Sequence, residues 1–195
     1  MEPLREGRVP TIRECDALIA RYRMLPNILG HSRQVMRVSL AIADNLKEGI
    51  AVDRALVAAS ALLHDITKTR SIETRERHDE TGAALLRELG FPRVAAIVEQ
   101  HVVFQGFDPG GRVEEREIVY YADKRVMHEN IVTIEERVRD LVERYGKTQE
   151  IVELITSNRE MVLRLEAKLE GAMRVSMDEA IGTAPAVVPG APDYP

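Results

Sequence analysis

In Leu62-Leu63-His64-Asp65-Ile66-Thr67-Lys68 an imidazole and a carboxylate stand side by side, at the end of a run of small and apolar residues from Ala55 to Leu63. Neighbours on a helix project about 100° apart, so the two side chains can lean towards one point between them. An imidazole nitrogen with a carboxylate oxygen suits a divalent metal of intermediate hardness. Lys68 follows three residues after the carboxylate, where it can meet an anion bound to that metal. An adjacent His-Asp pair by itself also reads as an ordinary helix end. The rest of the chain decides between the two.

His31, His78 and His101 fall at starts or ends of helical segments, and a second acid, Asp123, sits in Tyr120-Tyr121-Ala122-Asp123-Lys124. Taken singly, His31 reads as a hydrogen-bonded core histidine and Asp123 as the partner of Lys124. Helices that bring their ends together would instead gather His31, His64, His78, His101, Asp65 and Asp123 around one pocket. His128 lies in a polar segment and reads as a surface or supporting residue, not a ligand.

The elements that must position these groups follow from caps and periodicity. Thr11-Ile12-Arg13-Glu14 is a capping box that opens a helix to about Met24, and Pro26 and Gly30 are expected to break it. A second helix is expected from near His31 to about Glu48, with Val35, Val38, Ile42 and Leu46 as its apolar stripe. Gly49 ends it. Asp53 caps the next, with Val52 and Val57 as a hydrophobic staple, and Ala55, Ala58, Ala59 and Ala61 permit close helix approach. That helix is central and delivers His64 and Asp65 at its C-terminal end. Thr69 to Arg77 reads as a loop or short helical turn, and Asp79 as the N-cap of a helix from Glu80 to Leu89 in which Gly82 allows close backbone approach. Pro92 opens a helix that reaches His101, and Gln105 to Gly111 is a loop. Glu114, Glu115 and Glu117 favour the N-terminus of the helix that carries Asp123. Thr133 and Glu136 form a second capping box for a helix ending near Gly146. Thr148 caps a long last helix striped by Ile151, Leu154, Ile155, Val162, Leu165 and Leu169, which packs on the domain or, alternatively, forms a homodimer seam. No segment alternates like a strand and no repeat is present. The expected architecture is an all-α bundle over residues 1–182, with a Pro/Ala-rich disordered tail or linker over 183–195.

Composition agrees with this. The chain has 195 residues, 45% hydrophobic and 30% charged, enough for one domain with a sizeable core. A net charge of −5 gives no support for general nucleic-acid binding. The single cysteine, Cys15, cannot form an internal disulfide and reads as a packing residue in a reducing compartment. Residues 1–10 lack an apolar signal region, and no run approaches the roughly 20 apolar residues needed to span a bilayer, so a cytoplasmic protein is expected.

The order His31, then His64-Asp65, then Asp123 resembles the H…HD…D signature of the HD-domain superfamily of metal-dependent phosphohydrolases. His64-Asp65-Ile66-Thr67-Lys68 looks like the HDIG-type variant with Thr67 in place of the usual glycine. His78 with Gly82 and Ala83 resembles the following H-x-x-x-G-A element, Glu99-Gln100-His101 the next histidine element, and Tyr121-Ala122-Asp123-Lys124 the closing A-D-K element. The resemblance covers about Ile28 to Tyr145. It departs from the family at His101-Val102, where many members have paired histidines, and it lacks the Gly-Tyr-Pro motif of the cyclic-di-GMP branch.

The resemblance implies a five-helix core with additional C-terminal helices. It assigns His31, His64, Asp65 and Asp123 to a first metal, with Asp65 bridging to a second held by His78 and His101. Imidazole and carboxylate donors suit Fe, Mn, Ni, Co or Mg. The implied enzyme is a phosphohydrolase, a phosphomonoesterase or phosphodiesterase for a nucleotide or other small phosphoester. Its nucleophile is hydroxide from metal-activated water, so it needs no protein nucleophile. Lys68 is the leading phosphate contact, with Lys124 and Arg33 as weaker ones. A di-iron oxygenase using the same ligand set and a regulatory module that has lost catalysis are the competing readings. The substrate, the metal and the oligomeric state are not encoded in any motif.

Overall fold

A computed structural model describes residues 7–185. The reading of residues 1–6, and of the tail beyond Pro185, lies outside them. Within the described residues the chain is all-α apart from one two-stranded hairpin.

Helix α1 (Ile12–Arg21) opens with the expected capping box, Glu14 N donating to Thr11 Oγ1 at 3.3 Å and Thr11 N to Glu14 Oε2 at 2.8 Å. It buries Cys15 and Ile19, one turn apart, and burial pushes the Cys15 thiol up to about 12. The helix ends at Arg21 rather than Met24, because Arg23 turns left-handed with φ 54°.

Helix α2 (Pro26–Asp44) corrects the expectation of a break at Pro26 and Gly30. Pro26 occupies the first helical turn, where its missing N–H costs nothing. His31 consequently lies in the second turn, on the same buried face as Val35, Val38 and Ile42. The helix stops at Asp44 rather than Glu48, where the Asn45 side chain donates back to the Ala41 carbonyl at 2.9 Å.

Helix α3 (Arg54–Leu63) is capped by Asp53 and is buried from Leu56 to Leu63, so apolar residues on all its faces have neighbours. It packs most extensively against α2. The segment after it, read as a loop or turn, contains a short helix α4 (Lys68–Thr74). Helix α5 (His78–Glu88) begins two residues before the expected Glu80. Arg77 takes the N-cap position and Asp79 lies inside the first turn, buried against the Arg77 guanidinium at 2.5 Å. Helix α6 (Pro92–Val98) packs on α5, and α7 (Glu115–Lys124) packs on α2 and α3. The five expected core helices are therefore α2, α3, α5, α6 and α7.

Strands β1 (Val126–Met127) and β2 (Asn130–Ile131) pair antiparallel, Val126 opposite Ile131. Two residues per strand are too few to alternate visibly in the sequence. Helices α8 (Ile134–Tyr145) and α9 (Gln149–Ala172) follow as expected, each with its threonine cap. Only the C-terminal part of the α9 stripe is buried, at Val162, Leu165 and Leu169, while Leu154 is 70% exposed. Burying each of these leucines contributes roughly 1.5–3 kcal/mol. A last helix, α10 (Met177–Thr183), was not expected. Ser176 caps it, and it lies on α2, where Arg37 donates to the carbonyls of Ile181 and Ala184.

Candidate metal centre

Five elements converge on one buried cluster. Helix α2 supplies His31, the C-terminal end of α3 supplies His64 and Asp65, the start of α5 supplies His78, the turn after α6 supplies His101, and the end of α7 supplies Asp123. His64, Asp65, His101 and Asp123 are all buried, while His78 keeps a partly exposed side chain.

Asp65 is the hub. Its Oδ1 lies 3.2 Å from His78 Nε2 and 3.5 Å from His101 Nε2, and its Oδ2 lies 3.4 Å from His64 Nε2. Asp123 Oδ1 sits 2.9 Å from His31 Nε2 and 3.7 Å from His64 Nε2. The four rings form a chain, with centroids 5.3 Å apart for His31 and His64 and 5.0 Å for His64 and His101 and for His78 and His101. Two triads share Asp65: His31, His64 and Asp65, and Asp65, His78 and His101, with ligand atoms within 4.8 Å of one another in each.

Backbone carbonyls orient three of the imidazoles. His31 Nδ1 donates to the His128 carbonyl at 3.0 Å, His64 Nδ1 to Ala61 at 2.8 Å and His101 Nδ1 to Val98 at 2.6 Å. A carbonyl can only accept, so in each ring Nδ1 carries the proton when the ring is neutral. The Nε2 lone pairs then point into the cluster, as in metal-ligating histidines. His64 Nε2, His101 Nε2 and Asp65 Oδ1 are buried without a hydrogen-bond partner. Each such atom costs about 1–3 kcal/mol when left unmade. A divalent cation would satisfy all three, so the donor set fits a metal.

The electrostatics favour a cation too. Burial opposes ionisation of Asp65, but His64 and Lys68 beside it outweigh burial and hold its carboxyl well below the usual carboxylate range. Asp123 is likewise buried, and Lys124 and His31 keep it well below that range. Burial pulls His101 down, which favours its neutral, ligating form. Burial acts in the same sense on His64, but the two carboxylates outweigh it and raise its pKa.

The three candidate phosphate contacts are placed differently. Lys68 Nζ is 2.7 Å from Asp65 Oδ2 on a side chain 41% exposed, so it can leave that carboxylate without leaving solvent. Lys124 Nζ donates to Asp123 Oδ2 at 2.6 Å and to the His101 carbonyl at 2.9 Å, which ties α7 to the turn after α6. Arg33 faces α1 instead, with its guanidinium 3.9 Å from Asp16. It lies two residues past His31, about 200° round the helix, which turns it away from the cluster.

Sequence reasoning missed two contributions. The first is the route by which His128, read as a surface or supporting residue, supports His31: its backbone carbonyl rather than its imidazole. Its φ of 57° turns the carbonyl between β1 and β2 onto His31. Replacing His128 by glycine, which accepts that backbone without strain, is expected to leave metal content unchanged. Loss of metal in elemental analysis would show that the imidazole itself takes part. The second is α8, whose Arg137 and Arg144 line a cleft of about 380 Å³ together with His31, Asp65 and Lys68. Both arginines reach Asp140, Arg137 at 3.1 Å and Arg144 through Nε at 2.7 Å. The Arg137-x-x-Asp140-x-x-x-Arg144 spacing marks one helix face, but nothing in it says which cleft that face meets.

Thr67, in place of a glycine, donates through Oγ1 to the His78 carbonyl at 2.9 Å or shares its proton with Thr81 Oγ1, also 2.9 Å away. A Cβ on Gly82 would come within 3.4 Å of that same oxygen, so the small residue lets α5 close on the turn that carries Asp65.

The HD domain model matches residues 28–125, from α2 to the end of α7. An uncharacterized protein of Methanocaldococcus jannaschii is 30% identical over 145 residues, 66% of this chain and 83% of that protein. A tRNA (cytidine(56)-2′-O)-methyltransferase of Picrophilus torridus is 34% identical over 106 residues, 51% of this chain but 29% of the methyltransferase. Ribonuclease Y of Thermus thermophilus is 39% identical over 77 residues, 38% of this chain and 13% of that protein. No solved structure matches at a comparable significance. Among the described residues no helix is long and apolar enough to cross a membrane. The matched span contains every residue of the His/Asp cluster, and the chain belongs to the HD domain family.

Proposed function

We propose that this chain is a metal-dependent phosphohydrolase, a phosphomonoesterase or phosphodiesterase for a nucleotide or another small phosphoester. The observation that carries the reading is the pair of triads meeting at Asp65, with orphaned Nε2 and Oδ1 atoms at their centre. His31, His64, Asp65 and Asp123 would hold one ion and His78 and His101, together with Asp65, a second. The donors suit Fe, Mn, Ni, Co or Mg. When bound, the metal lowers the pKa of a water molecule towards neutrality and offsets charge on phosphoryl oxygens.

The protein's own residues do the remaining work. The backbone carbonyls of Ala61, Val98 and His128 fix the rings so that no reorganisation is needed. Lys124 holds Asp123 ionised and aimed inward. Lys68 exchanges its contact with Asp65 for one with a phosphoryl oxygen of the substrate. The ribonuclease among the relatives supports including phosphodiesters among the substrates. The protein acts in the cytoplasm on small phosphorylated molecules.

The test is a panel of phosphomonoesters and phosphodiesters assayed on protein of measured metal content. Turnover that disappears on chelation and returns with Mn, Fe, Co or Ni supports the reading. Turnover that survives verified metal removal contradicts it, and oxygen consumption without phosphate release favours the di-iron oxygenase.

Replacing Lys68 by alanine is expected to raise KM or lower kcat by roughly tenfold, the scale of one charge-assisted hydrogen bond. Metal content stays as in the wild type, since a protonated lysine is no ligand. Unchanged kinetics across the panel would assign Lys68 to the surface.

A further inference from the structure

Helix α8 lies beyond residues 28–125, which the HD domain model matches, yet one of its faces lines the cleft over Asp65. Arg137, Leu141, Arg144 and Tyr145 line that cleft together with His31, Asp65 and Lys68. Positions i, i+4, i+7 and i+8 fall on one helix face, so all four side chains can meet the same space. The helix is fixed where it starts. Ile134 is buried, and Arg159 of α9 donates through Nε to Glu135 at 3.0 Å.

The two guanidinium groups on this face share one carboxylate. Asp140 follows Arg137 by three residues and precedes Arg144 by four, the spacings at which helix side chains meet. Arg144 grips it with two N–H groups, Nε to Oδ1 at 2.7 Å and Nη2 to Oδ2. Arg137 adds Nη1 to Oδ2 at 3.1 Å, while its Nε is buried without a hydrogen-bond partner. Burial opposes ionisation of Asp140, but Arg144 and Arg137 outweigh it and hold the carboxyl below its usual range. Two positive charges therefore share one negative charge, and Asp140 is not among the residues that line the cleft.

We propose that Arg137 and Arg144 form a substrate-binding arm for an anionic group in the cleft, and that Asp140 is an internal competitor that holds the arm between substrates. An entering phosphate takes over the fork of Arg144, whose planar donors match phosphate as well as carboxylate. The Arg144 side chain is 38% exposed and can turn from Asp140 into the cleft without disturbing the core. The inference rests on the phosphohydrolase reading in taking that anion to be the substrate's phosphate. The arm and its competitor have opposite effects on affinity, which sets them apart from residues that only brace α8.

The experiment is calorimetry on the full chain, loaded with Mn and freed of unbound metal, with inorganic phosphate as the probe. Arg144→Ala and Arg137→Ala are each expected to weaken phosphate binding by roughly tenfold, the scale of one charge-assisted hydrogen bond. Asp140→Asn is expected to tighten it by about two- to fivefold, because a partly exposed ion pair no longer has to be broken first. Circular dichroism and elemental analysis check that each variant is folded and keeps its metal. Weaker or unchanged binding in Asp140→Asn, unchanged binding in the arginine variants, or no phosphate binding by the wild type overturns the proposal. Phosphoester turnover on the same samples separates the two claims. Turnover by a wild type whose phosphate affinity ignores these substitutions leaves the hydrolase and removes the arm. Affinities that shift in the expected directions without turnover of any phosphoester leave the arm and remove the hydrolase.

Discussion

Replacing Asp65 by asparagine is expected to lower metal occupancy at both positions of the cluster and to cut phosphoester turnover by more than about 100-fold. Changing an outer partner of a ligand already costs roughly 10–100-fold in affinity or activity, and Asp65 is the hub itself. Its two oxygens face His78 and His101 on one side and His64 on the other, and Asp65 is the residue that belongs to both triads. Asparagine keeps the volume and one carbonyl oxygen but removes the charge. The fold should therefore survive, and circular dichroism checks that it does. A folded variant that keeps its metal and turnover would show that Asp65 is structural and that the other five side chains suffice.

Lys168→Met is expected to destabilise the fold by about 3–5 kcal/mol, the scale for removing one partner of a buried ion pair. Lys168 Nζ lies 2.7 Å from Glu117 Oε1, and the side chains are only 6% and 1% exposed. The same ammonium donates to the carbonyls of Asp108 at 2.8 Å and Arg112 at 3.0 Å. It thus fastens α9 to α7 and to the loop before it. Without it, Glu117 stays buried as an unpaired carboxylate, held only by its capping bond from Glu114 N at 3.1 Å. Thermal unfolding should shift down by roughly 10 °C for a chain of this length. Adding Glu117→Gln to Lys168→Met should recover most of the loss, because the buried charge is then gone. A shift of less than about 2 °C in the single variant would mean that solvent reaches the pair.

The core and the cluster were legible in the sequence for physical reasons. Capping boxes at Thr11 and Thr133 and the Asp53 cap are local chemistry, and each appears as expected. The motifs around His64, His78, His101 and Asp123 fall where helices end, and helix ends are where one bundle gathers side chains from several elements. The errors came from tertiary context. Pro26 reads as a breaker or a first-turn residue with equal local justification, and the choice moved the start of α2, so that His31 lies in its second turn rather than at its first residue. Asp79 has the chemistry of a cap, but its pairing with Arg77 drew it into the helix. Arg33, counted among the weaker phosphate contacts, is turned by the helix to α1. The apolar stripe of α9 is continuous in sequence, yet only its second half meets the core. The role of α8 was illegible because it depends on which way a surface helix leans over a site built by other segments.

The most direct test of the account is elemental analysis of the purified chain and of His101→Ala, after equilibration with Mn and removal of free metal. His101 Nε2 faces Asp65 and belongs to only one of the two triads. The account predicts two metal ions per chain in the wild type and one in the variant, with most phosphoester turnover lost alongside the second ion. A fully loaded wild type with one ion per chain, and no loss on changing His101, contradicts the two-metal centre. A wild type that binds none contradicts the metal-dependent mechanism altogether.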